Sequence, residues 1–388
     1  MKQRNKAVTL LLNTLKALII PVGIWLAFAI LTGGKSASTK MLITTLRQTV
    51  QPTIICYGLM LNMCLGMMNF SAGGMMLFAG IIGGTLAKMT GTGAFGLVLF
   101  CLLVCVAEGA VNGLLYNLMR VPCIVLTIGM MLVWESFPKA IVPNGLNISS
   151  NMKMTILTRQ PYCFVVLAVM AAIFYIIYNQ TAFGHNMRAL GSNQAIANSV
   201  GLNSDKIKFL SFVLGSVFLG IGAVLYVSNM GEVRNVTTMG SMTIMMDGFM
   251  GMFIAMFIAR YCDMTIAIPL GGFAMKMMTN GFVAMGVSST VRDIVQGFFL
   301  LILLVIQANS VNQPYFRTLA SSDMLINFYG KQAHASMNPW EGVSALNGVQ
   351  LFFHGLDMLR VGLEKGDDVQ GVILDGGKIP NVIPEKAT

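Results

Sequence analysis

Long apolar runs broken by short polar stretches set the pattern of this chain. Segments such as YCFVVLAVMAAIFYIIY (162–178) and FLSFVLGSVFLGIGAVLYV (209–227) contain no charged side chain. A bilayer crossing takes about 20 mostly apolar residues in an α-helix. The pattern predicts ten such spans, at 17–33, 49–68, 72–89, 94–118, 122–141, 160–178, 209–228, 242–259, 264–285 and 290–308. The expected fold class is therefore all-α, a polytopic membrane helix bundle. Only MNFSAGG separates the second span from the third, and 242–259 and 264–285 are diluted by Gly, Met and Thr. Between the sixth and seventh spans the pattern changes. TAFGHNMRALGSNQAIANSVGLNSDK (181–206) is small and polar, and far longer than a turn between two helices requires.

Composition supports a lipid solvent. The 388 residues are 55% hydrophobic and 10% charged, whereas a soluble domain carries roughly 25% charged residues. The net charge of +10 is unevenly placed: residues 1–310 hold 19 Lys/Arg against 7 Asp/Glu, and residues 311–388 hold 6 against 8. In a membrane protein such an excess faces anionic lipid and cytoplasm, so nucleic acid is not an expected partner. The basic start (Lys2, Arg4, Lys6) places the N-terminus inside, and ten spans then put the 181–206 loop in the cytoplasm. Lys35, Lys40, Arg47, Lys153 and Arg159 fall in the outer segments, which leaves the basic count nearly balanced. No small-residue cleavage site interrupts the first apolar run, which reads as an uncleaved span.

Catalytic and metal chemistry find little support. The seven cysteines include no CxxC pair and the three histidines are isolated. AILTGGKS (29–36) ends like a phosphate-binding loop, but Ala29 stands where that loop needs Gly and a membrane span precedes it. Small residues recur within the spans, in GIIGG (80–84), EGAVNG (108–113), GSVFLGIG (215–222) and IPLGG (268–272), the composition of closely packed membrane helices. Asn112-Gly113 and Asn280-Gly281 hint at an internal pseudo-repeat, with chance placement an equal alternative. Four ionisable residues, Glu108, Glu135, Asp247 and Lys276, fall inside predicted spans. Each belongs either to a solute pathway or to a span end where it is paired or snorkels, with Glu135 placed close to the outer surface.

Several motifs carry a family resemblance. FGHNMRALGSNQAIANSVGLNSDKIKFLSFVLGSVFLGIGAVLY (183–226) resembles the permease subunits of bacterial ATP-binding-cassette importers, in the ribose and simple-sugar branch of the branched-chain amino acid/ribose permease family. AVNGLLYNLMRVPCIVLTIGMMLVWES (110–136), GMMNFSAGG (66–74) and TNGFVAMGVSSTVRDIVQGFFLLILLVIQ (279–307) are similar to further segments of it, so the resemblance covers about 15–310. It implies a subunit without enzymatic activity, in the bacterial plasma (inner) membrane. That subunit pairs with a second permease subunit as a homo- or heterodimer. It receives solute from an extracytoplasmic substrate-binding protein and binds no cofactor, ATP being held by a partner ATPase.

The resemblance also assigns roles. The 181–206 loop would form a short helix docking on that ATPase through Gly184, Arg188, Ala189, Gly191, Asn193, Ala195 and Gly201; the small residues suit close helix approach, and the Asn residues suit caps and turns. A neutral sugar calls for uncharged polar groups, and Asn69, Ser71, Asn112, Thr127 and Asn280 are the expected pathway residues. Asn69 stands where the family usually has Asp. The transmembrane domain would span 1–310. Residues 311–388 extend beyond the family pattern as a cytoplasmic tail, with apolar residues at helical spacing in QLFFHGLDMLRVGLEKG (350–366). The alternative is a secondary transporter using the buried ionisable residues as ion sites. A nucleoside or another small solute would also suit a related permease.

Overall fold

The computed structural model describes residues 2–34, 36, 38–199, 201–309, 326–334, 338–360, 371–376 and 382–388. Ten long helices form the first of two compact units, Met1–Thr318. They are α1 (Lys2–Leu31), α2 (Thr39–Met63), α3 (Ala72–Thr90), α4 (Gly93–Met119), α5 (Cys123–Ile141), α6 (Tyr162–Tyr175), α9 (Ser204–Met230), α10 (Met242–Ile258), α11 (Met264–Ala284) and α12 (Ser289–Asn309). Each of the ten expected spans falls on one of them. Two short helices, α7 (Ala182–Ser192) and α8 (Gln194–Ser199), occupy the polar interruption. The chain is a multi-pass, all-α membrane bundle.

Length and apolarity alone qualify five segments to cross a membrane: α3, α4, α5, Tyr162–Gln180 and α9. The others depend on the bundle. In α2, Thr45, Thr49 and Thr53 return their hydroxyls to the carbonyls of Met41, Thr45 and Thr49 at 2.8–2.9 Å, so polar residues sit in the helix without an unpaired group. The second half of α2 is buried almost without a break, from Pro52 to Met63. It lies against α6, α9, α10 and α11 rather than lipid.

Close approach explains the small residues. A Cβ on Gly58 would meet the carbonyl of Gly215 at 2.8 Å, so the two glycines let α2 and α9 touch backbone to backbone. A Cβ on Gly109 would meet the Ser216 side chain at 2.5 Å, which closes α4 onto α9 in the same way. In lipid such packing is the main source of helix association. At the end of the bundle where α9 finishes, β1 (Leu146–Asn147) and β2 (Glu232–Val233) pair antiparallel.

The second compact unit, Leu319–Thr388, has its own small core. Helix α13 (Ala345–Arg360) contacts the antiparallel strands β3 (Phe328–Tyr329) and β4 (Lys386–Ala387). Ala345, Val349 and Ala387 are buried there, with Phe328 and Phe353 packed against them. The expected helix within 350–366 thus exists, begins earlier, and has a folded partner of its own. Residues 311–325 and 361–370 of the tail lie outside the described residues.

Candidate functional site

A cavity of about 380 Å³ opens among the first half of α2, the end of α9, the start of α10 and the end of α11. Its walls include Arg47, Gln48 and Gln51 on α2, Asn229 on α9, Thr243 and Asp247 on α10, and Lys276, Thr279 and Asn280 on α11. Asn280 donates to Thr45 Oγ1 at 2.9 Å and to Gln48 Oε1 at 2.8 Å, which locks α11 to α2 on one wall. A volume of this size holds a small solute, and its many amide and hydroxyl groups can hydrogen-bond one. The cavity lies at the far end of the bundle from α7 and α8. Helix α9 joins the two ends, running from Ser204 beside α8 to Met230 at the cavity.

Two of the four intramembrane ionisable residues meet at this cavity. The ammonium of Lys276 donates to Asp247 Oδ2, with 17% and 38% of the respective side chains exposed. The residues are 29 apart in sequence but adjacent across the α10–α11 hairpin. The other two are elsewhere. Glu135 is fully buried, accepting from the Gly240 amide at 3.0 Å and from Ser241 Oγ at 2.9 Å. It ties α5 to the start of α10. Glu108 is also buried, and neither carboxyl oxygen has a geometrically defined hydrogen-bond partner among the described residues.

Of the five expected pathway residues only Asn280 reaches the cavity. Asn69, Ser71, Asn112 and Thr127 form a separate and fully buried polar group where the chain enters α3. Asn69 Oδ1 accepts from the amide and hydroxyl of Ser71, an Asx turn that leads into the helix. Asn112 Nδ2 on α4 donates to Ser71 Oγ at 2.8 Å, and Trp134 Nε1 on α5 donates to Asn112 Oδ1 at 3.1 Å. Thr127 donates to the Met68 carbonyl at 3.2 Å and accepts from the Phe70 amide at 3.2 Å. These bonds satisfy an irregular stretch of backbone inside the bundle, where lipid offers no partner. The two Asn-Gly pairs that hint at a repeat therefore occupy unlike settings.

At the opposite end the polar loop is helical. Thr181 caps α7 by accepting from the Gly184 amide at 3.2 Å, and Asn203 caps α9 by accepting from the Lys206 amide at 3.0 Å. Gly184 and Gly191 face inward: a side chain on Gly184 would strike the carbonyls of Ile177 and Tyr178, and one on Gly191 the carbonyl of Cys64. Arg188 lies 4.9 Å over the Tyr178 ring and hydrogen-bonds the Gly184 carbonyl at 3.3 Å. Ala189 is exposed, Asn193 half-buried, and Gly201 takes φ +87° between α8 and α9. The side chain of Ala195 lies outside the described residues.

Sequence reasoning missed Trp134 as the residue that closes the buried network, and Arg47 and Gln48 as cavity walls. An apolar-run reading places Trp134 in a span without saying what its N–H meets. Arg47, Gln48 and Gln51 share one face of α2 by helical spacing, a signal present in the sequence.

A family model described as the branched-chain amino acid transport system / permease component matches residues 41–304. The autoinducer 2 import system permease protein LsrC of Yersinia pseudotuberculosis (strain YPIII) is 25% identical over 246 residues, covering 59% of this chain and 69% of that protein. The LsrC protein of Photorhabdus luminescens is 24% identical over 242 residues, covering 58% and 71%. A second kind of relative is the Xaa-Arg dipeptidase of Mus musculus, 40% identical over 73 residues; the alignment takes in 19% of this chain and spans only 17% of the dipeptidase. No solved structure matches the chain.

Proposed function

The chain belongs to the branched-chain amino acid transport system / permease component family, and on that premise we propose that its helix bundle is the membrane subunit of an ATP-driven importer. A small hydroxylated solute of the simple-sugar class, ribose-like in size, enters the cavity walled by Asn280, Gln48 and Thr279 from an extracytoplasmic binding protein. A separate ATPase binds the α7–α8 end in the cytoplasm, and a second permease subunit completes the pathway in a bacterial inner membrane. The subunit itself performs no chemistry. Asn69, Ser71, Asn112 and Thr127 contribute by holding the entry to α3 in place, next to the solute path.

The observation that carries this proposal is the polarity of the bundle. A solute-sized cavity with amide, hydroxyl and charged side chains in its wall lies at one end of α9, and the two short helices α7 and α8 lie at the other. Force applied to α7–α8 is transmitted along a single helix of 27 residues, about 40 Å at 1.5 Å per residue. The secondary-transport alternative would use Glu108, Asp247 and Lys276. It draws less support from the last two, which pair with each other, and rests on Glu108, which is buried without a geometrically defined hydrogen-bond partner among the described residues.

Co-purification with a family ATPase tests the docking. Ala189→Arg, at an exposed position of α7, is expected to remove the ATPase while the permease still inserts and remains monodisperse. Undiminished association in that variant would refute docking through α7.

A further inference from the structure

The charge around the cavity is one-sided. A second cavity of about 330 Å³ lies beside the first, and Arg47 lines both. Its other walls include Lys40 and Thr44 on α2, with Arg159 and Gln160 before α6, and no carboxylate among the described lining residues. The two cavities together gather Lys40, Arg47, Arg159 and Lys276 against Asp247 alone. Asp247 is already engaged by Lys276. Among the described residues no ion pair involves Arg47, whose exposed side chain forms part of both walls.

A neutral sugar gains little from such a field. A carboxylate or phosphate gains directly, since a guanidinium presents two parallel N–H donors to it, and a ring of cations at a cleft mouth concentrates anions there. Gln51 and Asn229 also line the larger cavity and offer amide groups to hydroxyls. We propose that the paired cavities form a binding site for a small polyhydroxylated anion, a sugar phosphate or sugar acid, with Arg47 holding the anionic group and the uncharged polar side chains of the larger cavity holding the hydroxyls. This rests on the import function proposed above and narrows its solute class. The same cations would also attract an anionic lipid headgroup, but the amides lining the larger cavity suit a soluble polyhydroxylated molecule.

The test uses the full-length permease in phosphatidylcholine nanodiscs, with equilibrium binding of ribose 5-phosphate compared with ribose. Ribose 5-phosphate is expected to bind at least about tenfold more tightly, one decade being the scale of a single charge-assisted contact at a partly exposed site. Arg47→Gln should erase that preference, Arg47→Lys should keep part of it, and added salt should weaken the phosphate but not the pentose. Equal binding of the two probes, or a preference that survives Arg47→Gln, overturns the proposal. So does an Arg47→Gln effect confined to the phosphatidylglycerol that co-purifies with the protein, which would assign the patch to lipid. ATPase co-purification measured on the same preparations separates the two claims. A permease that binds its ATPase and ignores the phosphate keeps the import function and loses this solute class.

Discussion

Removing the carboxyl of Glu135 should loosen the start of α10 and disturb the cavity, whose wall on α10 begins two residues beyond Ser241 at Thr243. Glu135 is fully buried and accepts from the Gly240 amide and the Ser241 hydroxyl. The backbone there is tight on the other side as well, because a side chain on Gly73 of α3 would strike the Ser241 carbonyl. Glu135→Ala strands two donors, and an orphaned buried donor costs about 1–3 kcal/mol. The Ser241 hydroxyl can rotate to another acceptor and the Gly240 amide is only partly buried, so the expected loss is about 2–3 kcal/mol. Measured hydrogen bonds between membrane helices average about 0.6 kcal/mol, which sets the lower bound for a pair near 1 kcal/mol. Glu135→Gln keeps one acceptor and should cost less than half as much. Thermal unfolding of the detergent-solubilised protein would rank wild type above Gln and Gln above Ala, with solute uptake falling in the same order because α10 carries Asp247. An alanine variant as stable as wild type, or a glutamine variant as damaged as the alanine one, would show that this carboxyl does not hold α10.

Two further outcomes follow from placement. Asn280→Leu removes a donor that bridges Thr45 and Gln48 at the cavity wall and should lower uptake without loss of ATPase binding; normal uptake would make Asn280 a packing residue. Deleting 311–388 removes a segment outside the matched family region and one that has its own core. Insertion and dimerisation should therefore persist, as read by membrane fractionation and cross-linking, and collapse of the truncated permease would show that the tail is structural.

Much of the bundle is written in the apolar runs, because a bilayer imposes a fixed length on each crossing. Partnerships are not, since hydropathy gives no azimuth. Asp247 and Lys276 look like two costly charges until the α10–α11 hairpin sets them side by side, and Glu135 looks peripheral until Gly240 and Ser241 are folded onto it. MNFSAGG reads as almost no separation between spans, yet it is the segment whose Asn69 and Ser71 build the entry to α3. The small residues of the polar loop show a similar divergence. Gly184 and Gly191 suit a docking surface by composition, but their size is spent against Tyr178 and Cys64, leaving Ala189 exposed. The cavity was the least legible feature, because its walls come from positions 47 to 280 and no single stretch encodes it.

ATP dependence of uptake is the most direct measurement. The permease, reconstituted in proteoliposomes with its ATPase and loaded with solute-bound binding protein on the opposite side, should accumulate labelled solute only with hydrolysable ATP. Collapsing the proton and sodium gradients with ionophores should leave that accumulation intact. Accumulation that proceeds without ATP and vanishes with the gradients would contradict the account and identify a secondary transporter.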